Sequence, residues 1–226
     1  MGSEMCIRDS AETVPYQAAI DVREKFTLNE IMEEYSLGPN GAQVVCADLL
    51  AVELDWIRSH IEEIDCDYFL VDTPGQTELF LYREASKVFV DNLSDRSAMI
   101  LLLDPLLSRT PDGFVTQLLL ASAAHLRFPV PMFPVLTKCD LLEPDEVDSI
   151  REWATDLDKL AMSMPNLEGM SGVLSSELLR VLQVLALESN LIAVSSKDVD
   201  VIDELYSIIQ STFAGLDDLE SHVDTN

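Results

Sequence analysis

The chain has 226 residues, 48% of them hydrophobic, so its length and composition fit one domain with a real core. Its net charge of −27 opposes binding to a nucleic-acid backbone or an anionic membrane surface. No apolar run approaches a membrane span and the first residues lack a signal-peptide core, so we expect a cytoplasmic protein.

The four cysteines and three histidines are too widely spaced for a disulfide framework or a zinc cluster. The acidic residues are scattered along the chain, and two interpretations of them stay open. Their scattered positions favour a solvated surface suited to a salty cytoplasm, where ions screen the repulsion between the acidic side chains. The other interpretation is an acidic face that binds a basic protein partner.

Residues 1–10, MGSEMCIRDS, match nothing that follows them. They resemble translated adapter sequence or an added leader, so we expect them to be an artefact or a leader outside the fold. The segment AAIDVRE comes next and carries Asp21 and Arg23. Asp21 is suited to lie near a metal or an attacking water, and Arg23 to neutralise phosphate charge. A solvated charged turn explains the segment equally well.

A short helix is predicted from Phe26 to Tyr35, with Thr27 as N-cap and Glu30 completing a capping box. A Gly-Pro-Asn turn follows it. The next helix is predicted from Gly41 to Glu63, because apolar residues recur there in steps of three and four.

Short apolar runs separated by helical segments predict parallel strands, because such strands are buried on both faces. The fold class is therefore α/β, a three-layer parallel sheet with helices on both faces. The predicted strands are Tyr68–Val71, Ala98–Leu103, Met132–Leu136 and Leu191–Val194, and the predicted helices are Gln76–Asp91, Gly113–Leu126, a stretch with a loop at 144–188, and Val199–Phe213.

The sequence YFLVDTPGQ places an acid at the end of a strand and a glycine turn before a helix. Asp72 is suited to hold Mg²⁺, usually through a water. Gly75 allows its own backbone N–H to approach a γ-phosphate closely. Gln76 is suited to orient the attacking water. Ligands bind at this edge of parallel sheets. An ordinary strand-to-helix turn is the weaker interpretation.

Two later loops, PVLTKCD and AVSSKD, each follow a predicted strand. Asp140 is suited to accept hydrogen bonds from the N1–H and N2–H₂ edge of guanine, a donor pair that adenine lacks. The stem of Lys138 can lie across the base. Backbone N–H groups in the second loop can meet the guanine carbonyl; its residues are Ser195, Ser196 and Lys197. Alone, each loop is weak evidence, and their order after DTPGQ gives them weight.

In this order the motifs resemble P-loop GTP-binding proteins, and Gly38-Pro39-Asn40 narrows the resemblance to the GPN-loop GTPase family. The resemblance covers nearly all of residues 13–213. It implies GTP as substrate, Mg²⁺ as cofactor, and a homodimer in which Asn40 of one copy reaches the γ-phosphate bound by the other. Pro39 would stiffen the loop and Gly38 would permit its turn. A protein client is a further implied partner.

Two departures from the family pattern stand out. Thr137 replaces the asparagine that usually begins the base-reading motif, which weakens only a loop-bracing interaction. No G-x-x-x-x-G-K-[ST] motif occurs in the 226 residues. We therefore expect residues 11–226 to be a single GTP-binding domain of P-loop NTPase type that lacks its first strand and helix, and activity of this fragment is open.

Two rival functions remain. One is a non-catalytic acidic α/β module that binds a protein partner. The other is an ATPase of the related MinD-like class, for which a change at Asp140 would not matter.

Overall fold

The computed structural model describes residues 2–7, 14–75, 77–164, 177–178, 180–182, 191–198 and 200–223. The chain divides into two compact units, Met1–Asp95 and Arg96–Asn226. Each unit has its own three-stranded parallel sheet.

The sheet of the first unit consists of β1 (Gly2–Cys6), β2 (Ile20–Asp21) and β3 (Tyr68–Asp72), in the order β2-β1-β3. β1 is the middle strand. It pairs in parallel with β3 over its full length, from Gly2 opposite Tyr68 to Cys6 opposite Asp72. Beyond the strand end, the backbone N–H of Ile7 donates to the carbonyl of Asp72 at 3.0 Å.

The expectation that residues 1–10 lie outside the fold is wrong for this strand. Met5, Cys6 and Ile7 are fully buried. Parallel pairing needs only backbone N–H and C=O groups and an apolar run, and these three residues supply the run. Gly2–Cys6 is the middle strand of this sheet, so β2 and β3 each pair with it.

The helices of the first unit start close to the predicted positions, but two long predicted helices are each divided. The capping box at Thr27 and Glu30 is present. Glu53 interrupts the helix predicted to end at Glu63, and Arg83 interrupts the one predicted to end at Asp91. The helices are α1 (Leu28–Glu34), α2 (Pro39–Val52), α3 (Leu54–Glu62), α4 (Thr77–Tyr82) and α5 (Glu84–Leu93).

Apolar residues on both sides of the break at Glu53 are buried. Ala47 and Leu50 of α2 and Leu54 and Ile57 of α3 are all buried. Arg83, between α4 and α5, donates from Nε to Asp48 of α2 at 3.0 Å. The divided helices therefore keep the packing face that the sequence predicts.

The sheet of the second unit has β4 (Met99–Leu103), β5 (Met132–Leu136) and β6 (Ile192–Ala193), in the order β4-β5-β6. All three strands lie within the runs predicted from the sequence. The helices are α6 (Pro105–Ser108), α7 (Pro111–Arg127), α8 (Pro144–Thr155), α9 (Leu157–Ser163) and α10 (Asp200–Val223).

The core of this unit forms between the sheet and α7, α8 and α9. Leu103 and Leu136 contribute from the strands, and Phe114, Ile150 and Leu160 from the helices. Much of the predicted 144–188 stretch, namely 165–176, 179 and 183–188, lies outside the described residues. Within the described part of the chain, none of the helices combines the length and apolarity that a bilayer-spanning segment needs.

Candidate functional site

The Gly-Pro-Asn sequence opens a helix and is not a free turn. Gly38 is the N-cap of α2, Pro39 its first residue and Asn40 its second, and all three are exposed. Proline fits the first helical position, where its missing N–H would have no partner. The first backbone N–H groups of a helix lack intrahelical acceptors, and the helix dipole adds positive potential there. This end of α2 is therefore suited to an anion.

Gly38 does not supply the conformational freedom that the sequence suggested. Its φ is −76°, and an added Cβ would meet nothing within 4 Å. The left-handed residue is Ser36, with a φ of 52°. Leu37 donates from its N–H to the carbonyl of Met32 at 3.0 Å, which closes the end of α1 as a Schellman motif. The turn that separates α1 from α2 is thus made at Ser36.

At the carboxyl end of the first sheet, Cys6 is in register with both Asp21 and Asp72. Neighbouring strands lie about 4.8 Å apart, so the Cα atoms of the two aspartates are about 10 Å apart across β1. In-register residues on adjacent strands point to the same face of the sheet. The two carboxylates therefore flank one buried thiol.

Asp21 forms a bidentate ion pair with Arg23. The guanidinium Nε donates to Oδ1 at 2.9 Å and to Oδ2 at 3.1 Å, and the backbone N–H of Arg23 donates to Oδ1 at 3.0 Å. The hydrogen bonds from Arg23 lower the pKa of Asp21 despite its partial burial. The two side chains, predicted to act separately, form one unit at the end of β2.

Asp72 ends β3 and accepts a hydrogen bond at Oδ2 from the phenol of Tyr16 at 2.5 Å. Sequence reasoning missed Tyr16, since no motif marks it. Burial and the bond to Asp72 raise the pKa of Tyr16, so its phenol stays a donor. After Asp72, Pro74 is buried and Gly75 is exposed, and Gln76 lies outside the described residues.

The side chains at this edge fit a magnesium ion held mainly by a nucleotide. Asp72 offers the charged oxygen ligand that Mg²⁺ prefers, and Mg²⁺ commonly takes one or two carboxylates together with phosphates and waters. The described residues contain no group of three or more His, Cys, Asp or Glu side chains able to hold a metal by themselves. Phosphate and water oxygens would complete such a site.

At the carboxyl end of the second sheet, the loops after β5 and β6 meet. The backbone N–H of Cys139 donates to the carbonyl of Val194 at 3.1 Å. Thr137 donates from both its N–H and its hydroxyl to the carbonyl of Leu103, each at 3.2 Å. Lys138 is left-handed, with a φ of 52°, and is exposed. Thr137 therefore braces its loop against β4.

Asp140 joins the two loops through its side chain. The hydroxyl of Ser195 donates to Oδ1 at 2.9 Å, and the ammonium of Lys197 donates to Oδ2 at 2.6 Å. These hydrogen bonds, the one from Lys197 foremost, lower the pKa of Asp140. Ser196 is exposed beside them. The Asp140 carboxylate is thus an ionised hydrogen-bond acceptor, and Ser195 and Lys197 fix its orientation.

Comparison with known proteins adds three findings. A model of the family described as "conserved hypothetical ATP binding protein" matches residues 9–215. The GPN-loop GTPase QQT1 of Arabidopsis thaliana is 34% identical over 58% of this chain and 46% of its own length. A GPN-loop GTPase of Pyrococcus abyssi is 28% identical over 91% of this chain and 83% of that protein. The chain spans about half the length of the first curated relatives that it matches.

A crystal structure of a GTPase in apo form from Pyrococcus abyssi is similar to the whole fold. The TM-score is 0.82 at 27% sequence identity, covering 94% of this chain and 86% of that chain. Together with the parallel pairing in both sheets, this likeness confirms the predicted α/β fold of P-loop NTPase type, with helices on both sides of the sheets.

Proposed function

Because the chain belongs to the GPN-loop GTPase family, we propose that it binds GTP and hydrolyses it with Mg²⁺. The observation that carries this proposal is the geometry of Asp140. Its carboxylate lies at the carboxyl edge of a parallel sheet, ionised and held by Ser195 and Lys197. This edge is where such folds bind ligands.

Guanine recognition follows from the chemistry of a carboxylate. Its two oxygens offer about four acceptor sites, so the bonds from Ser195 and Lys197 leave capacity for the N1–H and N2–H₂ donors of guanine. Adenine has no such donor pair. The stem of Lys138 supplies apolar surface for the base, and the backbone N–H groups of Ser195–Lys197 are donors for the guanine carbonyl.

Residues of the first unit have the chemistry that the phosphate end of a nucleotide needs. Bound Mg²⁺ would neutralise charge that develops on the phosphate oxygens. Asp72 would hold the ion, the N–H of Gly75 would donate to the γ-phosphate, and Gln76 would orient the attacking water. Asp21 contributes by holding Arg23, whose guanidinium offsets negative charge.

We propose that a second copy of the chain completes the site. Asn40 lies exposed in the first turn of α2, where unpaired backbone N–H groups and the helix dipole favour an anion. An exposed amide at a helix N-terminus is well suited to a phosphate in another subunit. A cytoplasmic location and a protein client are further parts of the proposal, and the net charge of −27 favours a basic surface on such a client.

The test is nucleotide choice. We expect the purified chain with Mg²⁺ to release phosphate from GTP faster than from ATP. Asp140→Asn removes an acceptor of two charge-assisted hydrogen bonds and should weaken GDP binding on the order of 100-fold. Asp148→Asn, at an exposed carboxylate on α8, is the matched control. Equal rates on GTP and ATP, or unchanged GDP affinity in Asp140→Asn, contradict guanine recognition.

A second proposal, a non-catalytic acidic module, is favoured by one observation. The 226 residues contain no G-x-x-x-x-G-K-[ST] motif to surround the phosphates. A chain that binds neither GDP nor GTP in a calorimeter, yet binds a basic protein in a salt-dependent manner, would support this module in place of the GTPase.

A further inference from the structure

We propose that Tyr16 is a positioning residue that orients the carboxylate of Asp72 toward a hydrated Mg²⁺ ion. The inference deepens the proposed GTPase function and rests on it. It assigns a task to a residue that belongs to no recognised motif in the sequence.

The geometry of the contact carries the argument. The phenol oxygen of Tyr16 lies 2.5 Å from Oδ2 of Asp72, although the two residues are 56 positions apart in the chain. Asp72 is the last residue of β3, so its side chain projects where the strand gives way to the Thr-Pro-Gly loop. A carboxylate there can rotate, and a donor fixed on one oxygen sets the direction of the other.

The chemistry of the donor distinguishes Asp72 from Asp21. Asp21 is paired with the Arg23 guanidinium, which offsets the negative charge that a metal needs. The phenol of Tyr16 orients Asp72 without bringing any charge of its own. The bond from Tyr16 therefore leaves the negative charge of the Asp72 carboxylate in place for a divalent cation.

Tyr16 also holds the position of an outer-shell partner, a residue that hydrogen-bonds to a metal-ligating side chain. Such partners hydrogen-bond to the ligating carboxylate, and their removal typically lowers metal affinity by about 10- to 100-fold. Tyr16 precedes β2 and Asp72 ends β3, so the bond links the segment before one outer strand to the end of the other. Tyr16 is half-buried, which limits competition from water for the bond.

The main experiment measures the affinity of the chain for a fluorescent GDP analogue over a range of Mg²⁺ concentrations. We expect Tyr16→Phe to raise the Mg²⁺ concentration at half effect by about 10-fold. Affinity in EDTA should not change, because the phenol acts only through the metal. Tyr35→Phe, at a 52% exposed tyrosine, should match the wild type. An unchanged Mg²⁺ midpoint in Tyr16→Phe overturns the proposal.

A second measurement needs no nucleotide. Mn²⁺ binding to the chain alone is followed by water-proton relaxation for the wild type, Tyr16→Phe and Asp72→Asn. We expect both variants to reduce the enhancement. If the chain binds Mn²⁺ in this way but never binds GDP, the GTPase proposal fails while the role of Tyr16 stands. If Tyr16→Phe equals the wild type, or the wild type shows no enhancement, the role of Tyr16 is rejected.

Discussion

The carboxyl ends of the two sheets carry charged side chains in different ways. In the first unit, Asp21 and Asp72 are half-buried and bonded to Arg23 and Tyr16. In the second unit, Asp140 is bonded to Ser195 and to Lys197, whose side chain is 74% exposed, whereas that of Arg23 is 20% exposed.

The difference corresponds to two chemical tasks. Partial burial lowers the local dielectric and strengthens electrostatic contacts, which suits groups that stabilise phosphate charge. An exposed lysine partner leaves a carboxylate able to exchange that hydrogen bond for another donor. The comparison teaches that similar three-stranded sheets can carry carboxylates with different kinds of partner, and under the proposed function the first edge would meet phosphate groups and the second a base.

The largest expected effect tests whether the two sheets contribute equally to the free energy of unfolding. Met5 of β1 and Leu136 of β5 are both fully buried in middle strands. Met5→Ala and Leu136→Ala should each lower the free energy of unfolding by about 2–5 kcal/mol, through lost burial and a cavity. Urea denaturation measures both.

Leu126→Ala, at a 74% exposed position, is the control for this pair and should be nearly neutral. If Met5→Ala behaves like that control, β1 does not contribute to the core in solution, and the two sheets are not equivalent.

A smaller effect is expected when the ion pair Asp21–Arg23 is compared with the pair Asp140–Lys197. Asp21→Asn should cost about 1 kcal/mol at pH 7, since it removes charge-assisted bonds at a half-buried site. Arg23 lowers the pKa of Asp21, so its contribution is full above the unfolded pKa of about 3.9 and is lost as pH falls through the lower folded pKa. The difference between wild type and Asp21→Asn in urea midpoint should therefore shrink below about pH 4.

Asp140→Asn should leave the urea midpoint unchanged at pH 7, because exposed ion pairs contribute little. A large loss of stability in this variant would show that the exposed carboxylate is structural, and the contrast between the two sheet ends would disappear.

The smallest effect concerns the two left-handed residues, Ser36 and Lys138, each with a φ of 52°. Glycine relieves the steric cost of this conformation but adds entropy to the unfolded chain, so Ser36→Gly and Lys138→Gly should each stabilise by about 0.5 kcal/mol. Only Lys138→Gly should also weaken GDP binding, because it removes the stem that the proposed function places across the base. Thermal melts with and without GDP separate the two effects.

The sequence predicts β3, β4, β5 and β6 because each is a continuous apolar run that a parallel sheet buries. It does not predict β1 or β2. β2 has only two residues, and in β1 only Met5 and Cys6 are apolar, after the polar residues Ser3 and Glu4. For such strands, pairing is decided by neighbours that are distant in sequence, and periodicity carries no information about them.

The site residues likewise divide into those that local motifs predict and those set by contacts distant in the sequence. Asp72, Asp140 and Ser195 lie in local motifs, so their positions at strand ends follow from the sequence. Tyr16 contacts Asp72 across 56 positions, and no local pattern indicates a contact of that range. Ser36 was missed because glycine is the usual left-handed residue, and Gly38 lay two positions away.

The order β2-β1-β3 has a consequence for synthesis on the ribosome. β1 is translated first, yet its long pairing partner begins only at Tyr68, after three helices have been made. The nascent β1 segment must therefore wait with most of its backbone unpaired until β3 is made, since a contact between distant segments carries a larger loop-closure cost. In the second unit each strand meets the preceding strand as soon as it leaves the exit tunnel, so that half can assemble in the order of its codons.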